Sequence, residues 1–301
     1  NKLSSYQSDL LLNLYRNKYK SFNFHHALEM INQNNEIDFP VSYSTFRKLC
    51  RDKGLGKVKK RRASKARIAR ERASQRGIML QLDGSFHKWN GRDVWCLINI
   101  IDDATSQVLA SEFFDGETTF AVMKCLRSII EKFGVPEFIL TDCAGWAAQT
   151  GKRAHFSQFA RACKELGIKL ITTPNPQSKG RVERSFRTFQ DRLIAEMELL
   201  GIKSQKDANR YLRDVYVPNH NSKFSVTALC PEDRFKALEP QLDLDSILCF
   251  KETRKVNRAH LVHFMSKTYV LTSPPKNLWN HEVCIHLDDN DHIKISYDGN
   301  Y

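Results

Sequence analysis

The stretch Asn175–Gln190, NPQSKGRVERSFRTFQ, constrains this chain more than any other. Val182, Phe186, Phe189 and Leu193 recur at i, i+4, i+7 and i+11, the spacing of one buried stripe on a helix. Glu183 falls on a neighbouring stripe with Lys179, Arg187 and Gln190, pointing away from the core beside two cations. A carboxylate so placed is either a solvated surface charge or one member of a metal-binding set. The choice depends on whether other carboxylates converge on it.

Two upstream segments supply candidates. Ile78–Leu82 is a short apolar run that reads as a buried strand, with Asp83 near its end. Trp95–Asp102 and Gln107–Phe114 read as two more strands, joined by a tight polar turn at Asp103–Ser106. Asp102 and Asp103 also follow a strand, but Asp103-Ala-Thr suits a turn in which Asp bonds its own backbone. Phe138–Thr141 is a further strand, ended by Asp142. Asp83 and Asp142 therefore stand at strand ends, where open α/β sheets gather functional groups.

Between and after these strands the pattern alternates. Thr118–Phe133 has helical periodicity and stops at Gly134-Val135-Pro136. Phe156–Leu166 is a helix ended by Gly167, Ile168–Thr172 a strand, and the long helix with Glu183 follows. The order predicts an α/β core, a mixed five-stranded sheet flanked by helices, with Asp83, Asp142 and Glu183 at one edge.

The segments LQLDGSFHKW, FILTDCAGWA and PNPQSKGRVERSFRTFQDRL resemble the DDE transposase/integrase superfamily, in particular bacterial insertion-sequence transposases with an integrase core. The resemblance covers roughly Arg76–Phe235. It implies a ribonuclease H-like fold and a metal-dependent polynucleotidyl transferase. Asp142 and Glu183 stand 41 positions apart, a spacing longer than in retroviral integrases, with the excess expected near Thr150–His155. Many relatives carry a polar or basic residue after the second aspartate; here it is Cys143, which reads as a packed thiol rather than a ligand.

The residue types suit the chemistry the resemblance implies. Strand transfer is an in-line displacement at phosphorus, which two divalent ions about 4 Å apart can clamp. Magnesium prefers hard oxygen ligands and keeps waters, so a few carboxylates and substrate phosphates suffice. The implied cofactor is Mg²⁺ or Mn²⁺, two ions per active site, with Asp83 bridging both and Asp142 and Glu183 each completing one. Water would first nick a transposon end, and the freed 3′-hydroxyl would then attack target DNA. Two other functions fit the same residues: a nuclease of this fold that does not join strands, and a domesticated DNA-binding protein.

Charge agrees with a nucleic-acid partner. Formal net charge is +13, and Lys57–Arg72 holds nine basic residues and one acidic one. This run reads as a phosphate-contacting arm, through Lys59, Lys60, Arg61, Arg62, Lys65, Arg67 and Arg70. Such binding weakens steeply with salt, because each neutralised phosphate releases counterions. Lys179 and Arg187, one turn either side of Glu183, are further phosphate-contact candidates. The expected partners are double-stranded DNA, both transposon ends and target, and further copies of the chain assembled on it.

Upstream, residues 1–55 read as a helical, helix-turn-helix-like unit with helices at Tyr6–Lys18, Phe24–Asn32 and Ser42–Lys53. The third resembles a recognition helix, capped by Ser42 or Ser44, with Ser44, Arg47 and Lys48 toward DNA. His25 and His26 lack the paired cysteines of a zinc domain. Residues 56–75 form the arm and 76–238 the catalytic core, within which Lys206–Tyr216 reads as a helix and Asn219–Pro231 joins it to Glu232–Leu238, a segment that by resemblance closes the core. In residues 242–301, runs at Ser246–Phe250, His260–Phe264, Lys267–Leu271, Glu282–Leu287 and His292–Tyr297, with a turn at Asp288–Asp291, predict a small SH3-like β-barrel. Eight cysteines without paired spacing, and no signal peptide or membrane span, suit the bacterial cytoplasm. The first residue is Asn rather than Met, so upstream residues are expected to be missing, a further end-binding helical domain among them.

Overall fold

The computed structural model describes residues 3–56, 70–142, 157–272 and 277–299. Its centre is a five-stranded sheet of β1 (Met79–His87), β2 (Trp95–Asp102), β3 (Val108–Phe114), β4 (Phe138–Thr141) and β5 (Lys169–Thr172), in the order β3-β2-β1-β4-β5. The first three strands are antiparallel neighbours; β4 and β5 join parallel to β1. This is the mixed sheet the alternation predicts. Every residue of β2 is buried, as an unbroken apolar run requires of a strand covered on both faces.

Strand alternation sorts the side chains into two layers. Leu80, Leu82, Ile98 and Ile100 face α4 (Thr119–Phe133) and α5 (Gln158–Glu165), against Val122, Leu126, Ile129 and Phe159. Trp95, Leu97 and Ile101 face the other way, against the stripe Val182, Phe186, Phe189 and Leu193 of α6 (Gly180–Leu199). Thr118 caps α4 through the Ala121 N–H, and Gly134 ends it at φ 103°. A Cβ there would run into the Lys236 carbonyl oxygen, so the stop needs glycine twice over.

Several elements differ from the sequence expectation. The helix expected at 206–216 continues further: α7 (Gln205–Tyr211) runs through a π turn, Leu212–Tyr216, into α8 (Val217–Phe224). The widened turn accommodates Pro218, which cannot donate to an i−4 carbonyl. Beyond α8, residues 232–238 close the core as an extended segment, in which Lys236 bridges Val135 and Phe235 stacks on Phe133 at 5.9 Å. Around 246 a short helix, α9 (Leu244–Ile247), replaces the expected strand, because Asp243 caps the Asp245 and Ser246 N–H groups. The C-terminal barrel is not formed among the described residues. Strands β6 (Phe250–Lys255), β9 (Glu282–Leu287) and β10 (Ile293–Ser296) make one sheet, in the order β10-β9-β6. The hairpin of β7 (Leu261–Phe264) and β8 (Lys267–Val270) makes a second. Both cover one cluster that includes Val262, Phe264, Val283 and Ile285, but no ladder joins them.

The N-terminal helices α1 (Ser5–Asn17), α2 (Phe24–Gln33) and α3 (Tyr43–Asp52) enclose Leu11, Tyr15, Ile31 and Phe46. Ser42 supplies the α3 cap, accepting from the Thr45 N–H. This unit packs on the far half of α6, with Ala195 in its apolar cluster. His26 bonds Glu196 at 2.8 Å, and Glu29 takes Arg192 at 2.6 Å and Lys223 at 3.0 Å.

Burial works against the Glu29 carboxylate, but Arg192 and then Lys223 outweigh it and hold its pKa down to about 2. Between the ordinary value of 4.5 and about 2, the unfolded chain takes up a proton that the folded chain refuses. Stability from this contact is therefore present above pH 4.5 and is lost as pH falls toward 2. Glu29→Gln is expected to lower the melting temperature at pH 7 by about 3 °C and to flatten its fall across that window. Thermal melts at stepped pH check this.

Candidate active site

Asp83 lies in the middle of β1, not at its end as the apolar run suggested. What ends there is the pairing with β4: the last registered partners are Gln81 and Leu140. Asp83 and Asp142 each come two residues later, so parallel strands about 4.8 Å apart set the two carboxylates side by side. The pair is opened to solvent unevenly, with side-chain exposures of 15% for Asp83 and 42% for Asp142.

Between them stands Lys179. Its ammonium lies 2.8 Å from Asp83 Oδ1 and 3.1 Å from Asp142 Oδ2, and its side chain is only 7% exposed. The sequence reading put Lys179 on a surface stripe with Glu183. That extrapolated 3.6-residue periodicity past the helix start, whereas Lys179 ends a 3₁₀ turn, Pro176–Lys179, and occupies the N-cap of α6. The changed winding turns it inward. Burial pushes the Asp83 carboxyl above the usual range in spite of Lys179, and the Asp142 charge adds to this. Burial also opposes the Lys179 charge, but bonding to Asp83 and then Asp142 wins and raises its pKa.

Glu183 is exposed on the first turn of α6. A carboxylate there is favoured by the positive end of the helix dipole. Of the expected three-carboxylate set, the structure brings two together around one cation and leaves the third outside. Among the described residues, no three Asp, Glu, His or Cys groups stand close enough to enclose a metal ion. The aspartate pair nonetheless fits a cation, as the lysine between them demonstrates, and one ammonium leaves the pair net anionic. All the donors are hard oxygens, which suits Mg²⁺ or Mn²⁺.

The other expected contacts divide. Arg187 is exposed on α6, one turn beyond Glu183, and Ser44, Arg47 and Lys48 are exposed on α3. Arg70 donates to Asp103, a carboxylate with no exposed surface. Lys59, Lys60, Arg61, Arg62, Lys65, Arg67 and Cys143 lie outside the described residues.

The sequence reading missed Gln81, Asp103 and Arg181. Gln81 is the one polar residue within an apolar run on β1, two residues before Asp83 and so on the same face, which is the signal that could have singled it out. Of the two acids after β2, Asp102 behaves as a turn residue, accepting from the Thr105 N–H at 2.8 Å. Asp103 instead accepts from Gln81 Nε2 at 2.5 Å, Arg181 at 2.8 Å and the Ala73 N–H at 2.8 Å.

A mixed sheet of this order, flanked by helices and with paired aspartates beside adjacent inner strands, has the form of a ribonuclease H-like core. Two curated proteins are similar in sequence. One, named as a transposase, y4bF, of Sinorhizobium fredii, is 31% identical over 266 residues, 85% of this chain and 57% of that protein. The transposase for insertion sequence IS1202 of Streptococcus pneumoniae is 32% identical over 222 residues, 71% of this chain and 47% of that protein. The chain thus spans about half the length of these two relatives, both of them named transposases. No protein-family model matches it. Among solved structures, the magnesium-bound catalytic core of HTLV-2 integrase overlaps 46% of this chain and 84% of its own, at 21% identity and TM-score 0.36. The integrase of a simian T-cell lymphotropic virus intasome overlaps 95% of each chain, at 13% identity and TM-score 0.42. These overlaps are loose, and the fold assignment rests on sheet order and register instead.

Proposed function

We propose that this chain is a DNA transposase that nicks transposon ends and joins the freed 3′-hydroxyl to target DNA. The observation that carries the reading is the pair Asp83 and Asp142 sharing one cation at the end of the β1–β4 pairing. In this reading Asp83, Asp142 and Glu183 would hold Mg²⁺ or Mn²⁺, two ions per site. Bound there, the ions would supply Lewis-acid activation of the attacking oxygen and stabilisation of the leaving oxygen. Asp83 and Asp142 already lie on adjacent strands, so their relative position costs no reorganisation. In this reading Glu183, exposed on the first turn of a helix whose opposite face is locked in the core, would complete the set.

The surrounding cations fit a polyanionic substrate. Arg187 and the exposed α3 residues Ser44, Arg47 and Lys48 would contact phosphates or base edges. The basic run from Lys57 would add a salt-sensitive arm. Assembly of several copies on paired transposon ends belongs to the same reading, as does action on DNA in the bacterial cytoplasm. No helix among the described residues is long and apolar enough to cross a membrane.

The test is a joining assay with pre-cleaved ends, Mg²⁺ and a supercoiled target. Joined products are the expected result. Nicks without joining would make the chain a nuclease of this fold, and neither product would make it a DNA-binding protein.

A further inference from the structure

Helix α6 has no side-chain cap of its own: Lys179 occupies the N-cap, and its side chain is committed to the two aspartates. The first N–H groups of a helix need partners when buried. For Val182 the partner comes from another element, because its N–H donates to Gln81 Oε1 at 3.1 Å. The orientation of the Gln81 amide follows from its other end, where Nε2 donates to Asp103 Oδ1. Gln81 and Asp103 have no exposed surface. Asp103 also accepts from Arg181 and Arg70, while Arg181 donates to the Arg70 carbonyl at 2.8 Å. Its own N–H donates to Met79 O at 2.9 Å, which fixes it against β1.

One buried carboxylate therefore joins three things: the strand carrying Asp83, the helix turn carrying Glu183 and the downstream end of the basic arm. Gln81 lies two residues before Asp83, and Arg181 two before Glu183. We infer that Gln81 and Asp103 are positioning residues of the candidate site. They set the register of α6 on β1 and fix where the arm leaves the core. This inference rests on the reading of Asp83, Asp142 and Glu183 as the metal-holding set.

Gln81→Met tests it, since the substitution keeps volume and burial while deleting the carbonyl that caps Val182. At saturating DNA, and well below its melting temperature, this variant is expected to join ends about tenfold more slowly. Its DNA affinity should stay within about twofold of the parent, and Mn²⁺ binding, read by electron paramagnetic resonance, should weaken about threefold. Gln81→Asn, a milder change, keeps an amide but is one methylene too short to span Asp103 and the Val182 N–H together, and it should join ends about threefold more slowly. A folded Gln81→Asn protein that joins ends like the parent would count against the inference. A Gln81→Met protein that melts earlier yet joins ends and binds Mn²⁺ like the parent would overturn it, leaving a purely structural contact. Glu183→Gln run alongside separates the two failures. If that variant joins ends normally, the metal-set reading has failed; if it is inactive while Gln81→Met matches the parent, only the positioning role has failed.

Discussion

Glu183→Gln is expected to abolish both nicking and joining while DNA binding stays within about threefold of the parent. The substitution removes one negative oxygen donor and almost no volume. Loss of one ligand from a two-ion site removes several kcal/mol of transition-state stabilisation; about 4 kcal/mol corresponds to roughly a 10³-fold fall in rate. Glu183 is exposed and makes no core contact, so the melting temperature should move by no more than about 1 °C. Gel-based joining assays together with fluorescence anisotropy on end DNA read the two quantities separately. Retained joining would remove Glu183 from the catalytic set and leave Asp83 and Asp142 as a cation site of another kind.

Lys179→Gln produces the second large effect, and its direction is less obvious. In the metal-free chain the Lys179 ammonium already neutralises part of the aspartate pair. A divalent ion entering between those carboxylates must displace it or bear its repulsion. Two unit charges at 4 Å interact by about 4 kcal/mol at an effective dielectric near 20. Swinging the flexible lysine stem outward recovers most of that, leaving an expected tightening of Mn²⁺ binding of about tenfold in the variant, measured by paramagnetic resonance titration. The same change leaves two adjacent carboxylates without their shared partner, so the metal-free variant should melt earlier than the parent. Added Mn²⁺ should restore more stability to the variant than to the parent, because a ligand that binds the folded state stabilises it by RT ln(1 + [L]/Kd), which grows as Kd falls. Unchanged Mn²⁺ affinity would show that the ammonium does not occupy the ion's place.

How much of this was legible in the sequence follows from the range of each interaction. The α6 stripe was legible because Val182, Phe186, Phe189 and Leu193 report a local period, and all four are buried. The extent of α4 and its stop at Gly134 were legible for the same reason, whereas the Thr118 cap came from the structure. The expected strand at Ser246 was misread where a local cap at Asp243 overrode the apolar pattern. The barrel was an extrapolation from strand count, and strand count does not determine which edges pair.

Within the site, Asp83, Asp142 and Glu183 were nameable from their motifs: Asp83 follows an apolar run, Asp142 follows a strand, and Glu183 lies in the first turn of a helix. The sequence by itself therefore determined the order of strands and helices, the sign of the charge, and which carboxylates could take part. Only the tertiary structure decided that β1 and β4 pair in parallel up to Gln81 and Leu140, which sets Asp83 beside Asp142. It alone turned Lys179 inward to join them and made Gln81 and Asp103 the cap and anchor of α6. The physical reason is that periodicity and capping act over a few residues. A shared cation and a borrowed cap depend on the register of elements that lie about a hundred residues apart in the chain.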